Sequence, residues 1–336
     1  MSSKKAKKTV AVSIVTWNSA GEIAECLDSL KDLPPNWEIW VVDNQSSDET
    51  VEIIRRDFPQ VNLIVNAENV GFAVGNNQII RQTKTDYVLL LNPDTVSEAK
   101  ELEKLLEIAE SNSKIGIVGG QLHDGNGNIQ VICEHFPYPW RNFINGMGLY
   151  RLFSAEWRRD NLHGEFFDYQ REAKVQWIVG AYLLARREAI EKAGLIPEDY
   201  FMFAEAMHWC YLMWQNGFEV WFTPESKIIH KMNRSARQLP QMWRVEKSTL
   251  CKYVFCYGEF GWLKTKFVEA TDFMSYTLGI WRLMFRKPEP VESKTWKMNR
   301  RVIWQALKMG SEETAKKQIE KFALLVLSFL STVGSL

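Results

Sequence analysis

With 336 residues, 46% hydrophobic and 24% charged side chains and a mean hydropathy of −0.25, the chain has a globular composition and room for about two domains; disordered, collagen-like and polytopic membrane classes are excluded. Its 41 basic and 41 acidic side chains cancel to a formal net charge of +0, but residues 1–226 hold 21 basic and 32 acidic groups and residues 227–310 hold 17 and 6. The zero is a cancellation between regions, so it excludes no charged partner.

In chain order, residues 1–8 form a basic tail with four lysines that runs directly into a β-branched segment too short for a signal-peptide core. The apolar runs Val10–Val15, Ile39–Val42, Leu63–Val65 and Tyr87–Leu91 predict buried parallel strands, and Ala20–Leu30, Asp48–Phe58 and Ala73–Thr83 predict the helices between them. That alternation predicts an α/β fold with an open sheet flanked by helices. The strands end in polar clusters, Thr16-Trp17-Asn18, Asp43-Asn44-Gln45-Ser46-Ser47, Asn66 and Asn92-Pro93-Asp94-Thr95, which in such a sheet converge on one crevice beyond the carboxyl ends.

Ser97–Ser111 reads as a helix, Ile115–Val118 as a strand and Asp124–Asn128 as a tight turn. Residues 134–174 are aromatic and without clear period. Val175–Leu184 predicts one buried strand, Arg186–Ala193 and Glu205–Gln215 predict helices closed by Gly194 and Gly217, and Phe218–Phe222 and Lys227–His230 predict two extended segments. Beyond Gln238 the spacing is helical. Cys26, Cys133, Cys210, Cys251 and Cys256 are odd in number and form no CxxC pair, which argues against a disulfide framework or a zinc site and fits a reducing cytoplasm.

The turn after the first strand, Thr16-Trp17-Asn18-Ser19-Ala20-Gly21, has neither GxGxxG nor GxxxxGK[ST], so nucleotide binding here must rely on side chains. A nucleotidyltransferase would show a glycine- and arginine-rich loop at this place, and that loop is missing. Asp43 is a carboxylate at the tip of the second strand, Asp94 another on the loop leaving the fourth, and His230 ends the last extended segment. Each also has an ordinary structural use: a cap, a turn, a packed strand end.

These residues, in order, resemble the inverting glycosyltransferase family 2 enzymes of the GT-A fold, especially their rhamnosyltransferase-like branch. The similarity runs over residues 9–235 and rests on Val12–Asn18, Val41–Asn44 with Ser46–Asp48, Asn69–Ala73 with Gly75–Asn77, Leu89–Thr95, Trp177 with Gly180–Ala181, and Phe201–His230. It implies domains at 9–235 (GT-A) and 236–336 (a helical C-terminal extension), and a nucleotide-sugar site with Thr16, Asn18, Asp43, Asn69, Gly71, Asn76, Asn92, Asp94, Trp177, Gly180 and Arg234. Asp94 stands as the last carboxylate of the family's DXD motif, and with His230 it would hold Mn²⁺ or Mg²⁺ against the donor diphosphate. Lys231, Arg234, Ser235 and Arg237 follow as a clamp for the same diphosphate.

The sequence departs from the family at the general base. Glu205-Ala206-Met207-His208 stands where an acidic pair and a further aspartate are usual, and the base position is Ala206. Three explanations are open: Glu205 serves as base with His208 on the same helix face; the chain is an inactive relative that binds nucleotide sugar or glycan; or a base was replaced by design. The resemblance implies transfer of a sugar, rhamnose in this branch, from a dTDP- or UDP-sugar to a glycan or lipid-linked acceptor in surface polysaccharide synthesis, with no role for nucleic acid. Trp and Tyr beside Lys and Arg in the C-terminal region, with Phe322–Leu336 too short to span a bilayer, leave two readings open in a cytoplasmic protein: helices that pack onto the catalytic domain, or peripheral attachment at the cytoplasmic face of an anionic membrane.

Overall fold

The computed structural model describes residues 7–231 and 241–283 and the isolated positions 300, 303, 304 and 313. Most of the basic tail, Arg234, Ser235, Arg237 and Phe322–Leu336 lie outside the described residues. By internal contacts the chain forms two compact units, one of Met1–Glu134, Asp168–Glu198 and Glu205–Gln238, the other of His135–Phe167, Asp199–Ala204 and Leu239–Leu336. The sequence boundary at 235 keeps 135–167 in the first domain, whereas this division groups that segment with the C-terminal helices.

The first unit opens with β1 (Val10–Thr16), α1 (Ile23–Asp28), β2 (Trp37–Asp43), α2 (Thr50–Asp57), β3 (Asn62–Val65), α3 (Gly71–Gln82) and β4 (Tyr87–Leu91). It continues through β5 (Thr95–Val96), α4 (Ala99–Ser111), β6 (Ile115–His123) and β7 (Cys133–Glu134). After the second unit's first segment come β8 (Ala173–Lys174), β9 (Trp177–Ile178), β10 (Tyr182–Arg186), α7 (Arg187–Ala193), α8 (Glu205–Gln215) and β11 (Glu219–His230). The nine-stranded sheet has the order β3-β2-β1-β4-β10-β6-β11-β5, with β8 on β11. β10 runs antiparallel to both its neighbours and β5 antiparallel to β11, while the β3-β2-β1-β4 half is parallel. The sheet is therefore mixed, and its helices cover it as the apolar runs require: Val10, Val12, Ile14, Val41 and Val42 are fully buried.

Strand order reverses at β1, whose neighbours β2 and β4 both run parallel to it. Such a reversal leaves a crevice at the carboxyl ends, here at Thr16, Asp43 and Asn92. The far edge adds a second placement. β5 pairs with β11 so that Thr95 lies opposite His230, which brings residues some 130 positions apart in sequence to one point.

Two predicted elements are corrected. Val175–Leu184 is not one strand: β9 pairs with β7 in a separate two-stranded sheet, and only β10 joins the main sheet. Both pieces are buried, so an apolar run cannot reveal the break between them. Conversely, Phe218–Phe222 and Lys227–His230 are one strand, β11, whose pairing with β6 slips between Thr223 and Lys227. Pro224 interrupts it, lacking the N–H that a regular ladder needs, and the strand passes this point as a bulge. The tight turn is as expected: Asp124 Oδ1 accepts from the N–H groups of Asn126 and Asn128 at 2.8 and 2.9 Å.

The second unit holds α5 (Pro139–Met147), α6 (Ala155–Asn161), α9 (Gln241–Phe260) and α10 (Trp262–Leu283). Gly261, at φ 79°, makes the turn between α9 and α10. Asn142 on α5 donates to Val268 O and to Asp272 Oδ1 on α10 at 3.2 and 3.0 Å. Asp272 also pairs with Lys252 and accepts from Tyr253 on α9. No helix among the described residues is long and apolar enough to cross a membrane.

Candidate functional site

At the β1/β2 end, the parallel register sets Thr16 beside Asp43. Thr16 Oγ1 donates to Asp43 Oδ2 at 3.0 Å, Ser46 donates to the same carboxylate through its N–H at 2.9 Å and also through its hydroxyl, and Asp43 is fully buried. Asn18, at φ 48°, accepts from Ser47 N at 2.8 Å while its own N–H donates to Ser46 Oγ. The tips of the two strands are thus laced together, and Asp43 organises the turn that follows it.

Asn69 Oδ1 accepts from Gly71 N at 3.0 Å, and Gly71, at φ 84°, opens α3. Asn76 is fully buried, accepting from Ser13 Oγ at 2.6 Å and donating to Phe72 O at 2.9 Å. Both ends of its amide tie α3 to β1 and the helix to itself, which makes it part of the packing beneath the crevice rather than its lining. Trp177, on β9, is half-buried opposite Glu134 of β7.

Asp94 and His230 meet. His230 Nε2 lies 3.2 Å from Asp94 Oδ1 and 3.3 Å from Asn92 Nδ2, with His230 7% and Asp94 8% exposed. A residue with no sequence signal fixes the ring: Gln130 Nε2 donates to the carbonyl of His230 at 2.6 Å, which turns Gln130 Oε1 toward His230 Nδ1 at 2.8 Å. Oε1 can only accept, so Nδ1 donates to it, and Nε2 is the ring nitrogen turned toward Asp94. A ring nitrogen and a carboxylate oxygen facing each other, both on nearly buried side chains, are a donor pair of the kind that can hold a divalent cation, with the ring oriented from behind by a second hydrogen bond. Nearby Cys26 donates weakly to Asn92 O, and burial pushes its thiol up to about 12, so it remains a neutral thiol. No cluster of three or more His, Cys, Asp or Glu side chains that could hold a metal occurs among the described residues; the other positions around a cation would fall to substrate oxygens and water.

Lys231 does not point its charge toward that pair. Its N–H donates to Asp94 O at 2.9 Å and its ammonium pairs with Glu25 on α1. Arg234 lies outside the described residues.

A short path of contacts leads from this pair to α8. Asn92 N donates to Ala181 O at 3.0 Å. The adjacent Gly180 is so close to α8 that a Cβ there would stand 3.3 Å from Ala206 Cβ and 3.4 Å from Phe72 Cε1. Gly180 therefore admits the start of α8, and Ala206 sits in that contact. Glu205, one residue earlier, is buried; Oε2 has no hydrogen-bond partner, and burial raises the carboxyl from 4.5 to about 7. The two residues before it, Phe203 and Ala204, have φ 73° and 68°, a region that non-glycine residues enter at a cost. His208 is half-buried one turn on. A carboxylate that titrates near neutrality, presented on a strained turn, has the character of a general base.

Comparison with known proteins bears on this arrangement. The family model described as glycosyl transferase family 2 matches residues 11–192. An N-acetylglucosaminyl-diphospho-decaprenol L-rhamnosyltransferase of Mycobacterium tuberculosis is 24% identical over 216 residues, 60% of this chain and 69% of that protein. A low-salt glycan biosynthesis hexosyltransferase of Haloferax volcanii is 24% identical over 206 residues, 60% of each chain. Among solved structures, a mannosyltransferase from Pyrobaculum calidifontis in complex with GDP-Man and Mn²⁺ superposes with a TM-score of 0.54 at 18% identity, covering 89% of this chain and 86% of that one. That likeness is one of fold.

Proposed function

Because the chain belongs to glycosyl transferase family 2, we propose that it is a divalent-metal-dependent inverting transferase moving a sugar from a nucleotide-sugar donor to a glycan or lipid-linked saccharide. The observation that carries this is the Asp94–His230 pair, with imidazole Nε2 turned by Gln130 toward a carboxylate oxygen 3.2 Å away. Asp94 and His230 would hold the cation, which when bound supplies positive charge to the leaving diphosphate. The β1/β2 tips, with Thr16, Asn18 and Asp43, would receive the nucleoside. Glu205 would take the proton from the acceptor hydroxyl as that oxygen attacks the anomeric carbon from the face opposite the diphosphate, which inverts the configuration. L-rhamnose as the sugar, and a polyprenyl-diphosphate-linked saccharide as the acceptor, are suggested by the name of the mycobacterial relative. Mn²⁺ is favoured over Mg²⁺ by the imidazole donor.

Calorimetry with dTDP-rhamnose and UDP-sugars in the presence and absence of Mn²⁺, alongside a transfer assay, tests this. Metal-dependent donor binding that is lost in His230→Ala is expected. Binding of equal strength without metal, or in His230→Ala, refutes the assignment of the pair. Ala206 favours a second possibility, a relative that binds donor without transferring it; tight binding with no turnover, restored by Ala206→Asp, would identify that case.

A further inference from the structure

The exposed face of α10 in the second unit is apolar where a surface helix is ordinarily polar. Leu263, Phe267, Ala270, Met274 and Leu278 follow one another at intervals of four, three, four and four residues, and all are exposed, Leu263 to 75% and Phe267 to 47%. At 3.6 residues per turn these positions form one narrow stripe along about 20 Å of helix. No charge interrupts it. Four of the helix's charged and hydroxyl side chains are turned inward instead: Thr265, Glu269, Thr271 and Asp272 are buried, Glu269 between Tyr257 and Lys266, and Asp272 among Asn142, Lys252 and Tyr253. Trp262, 57% exposed, stands at the start of the helix, with exposed Lys264 beside the stripe.

We infer that this stripe is a membrane-contact surface, with α10 lying in the plane of an anionic bilayer and Leu263, Phe267, Met274 and Leu278 entering its acyl boundary. Two features select lipid over a second copy of the chain. The surrounding sequence is strongly basic, 17 basic to 6 acidic side chains over residues 227–310, and residues 284–310, directly after α10, hold seven and two. A second copy would bring this charge against itself, whereas anionic headgroups attract it at about 1 kcal/mol per Lys or Arg near the surface. Trp262 at the end of the stripe is the amphipathic anchor that an interface favours. The inference extends the proposal of a lipid-linked acceptor but does not depend on transfer taking place.

The test uses the full chain sedimented with vesicles of mixed phosphatidylglycerol and phosphatidylcholine, with pure phosphatidylcholine vesicles for comparison. Binding to the anionic vesicles is expected, weakened by salt, and reduced at least about tenfold in Leu263→Ser/Phe267→Ser/Met274→Ser. Circular dichroism and the urea midpoint establish that the variant is folded, and the single change Leu263→Asp, at the most exposed position, serves if it is not. Absence of vesicle binding, or undiminished binding by the folded variants, overturns the inference. So does a wild-type dimer in light scattering that the same substitutions dissociate, since the stripe would then be a seam between copies. Transfer to a water-soluble acceptor is followed in parallel: its absence in all proteins, with vesicle binding as expected, counts against the transferase proposal and leaves this surface standing.

Discussion

Replacing Glu205 by glutamine separates two consequences of one buried carboxylate. In the folded protein its pKa is raised from 4.5 to about 7 by burial. A raised carboxyl pKa means that the native state holds its proton more tightly than the unfolded chain, so this side chain weighs least on stability below about pH 4.5. Its ionisation then lowers stability progressively up to about pH 7, after which the deficit is constant. Two and a half pH units at 1.36 kcal/mol each give a deficit of about 3 kcal/mol. Glu205→Gln has no charge to bury. The difference in unfolding free energy between variant and wild type is therefore expected to shift by about 3 kcal/mol in the variant's favour between pH 4.5 and pH 8, read from urea titrations. In the transfer assay the same substitution is expected to lower kcat about 10²–10⁴-fold, and to abolish a limb of the kcat/KM profile that rises through pH 7. A variant that keeps both its rate and that limb would refute the role of Glu205, and a stability difference that does not change with pH would refute the account of its burial.

Gln130→Leu removes the acceptor that holds His230 in its Nδ1-protonated form; Mn²⁺ affinity, measured by electron paramagnetic resonance with a nucleoside diphosphate present, is expected to fall about 10–100-fold while the fold is retained. Ala204→Gly relieves a left-handed backbone at φ 68° and should raise the urea-derived stability by about 0.5–1 kcal/mol, with no gain in activity. Gly180→Val forces new atoms against Ala206 and Phe72, where a Cβ alone already stands at 3.3 and 3.4 Å, and should cost about 1–3 kcal/mol. Part of that loss should return in Gly180→Val/Ala206→Gly, because Ala206 Cβ is the nearer contact.

The parallel half of the sheet was legible because its strands are buried on both faces and so write themselves as unbroken β-branched runs, as at Val10–Val15 and Tyr87–Leu91. The same property hid the break at Gly180, since β9 and β10 are both buried and nothing in Val175–Leu184 distinguishes two sheets from one. Residues 134–167 were opaque for a different reason. Their partners are far away: Asn142 meets Asp272 and Phe143 meets Phe267, across more than a hundred positions, and no local period encodes such pairings. At the candidate site, Asp94 and His230 stood out as chemistry-bearing residues at strand ends. Gln130 did not, because a glutamine after a turn acquires its meaning only when β11 brings His230 beside it. Asn76, singled out by its position in the family pattern, is explained by its buried bonds to Ser13 and Phe72.

The start of α8 joins strain, burial and chemistry in one place. Two non-glycine residues at positive φ set the direction in which the helix begins, and position 205 then carries a carboxylate into a site where Oε2 finds no donor. Each feature opposes folding, the strain by about 1–3 kcal/mol per residue and the charge by about 3 kcal/mol at neutral pH. A glycine at 204 would relieve one of the two strained positions, and a glutamine at 205 would remove the charge. What keeps the arrangement in place is the rest of the helix: fully buried Trp209 donates through Nε1 to Gly194 O, and Trp214 donates to Gln176 O, each at 3.0 Å. Rigid anchoring behind a strained, charge-averse first turn is the arrangement that poises a base near neutral pH. Ala206, packed against Gly180, has no such features around it, so the base is proposed one position earlier, at Glu205, and the loss of rate in Glu205→Gln is what decides it.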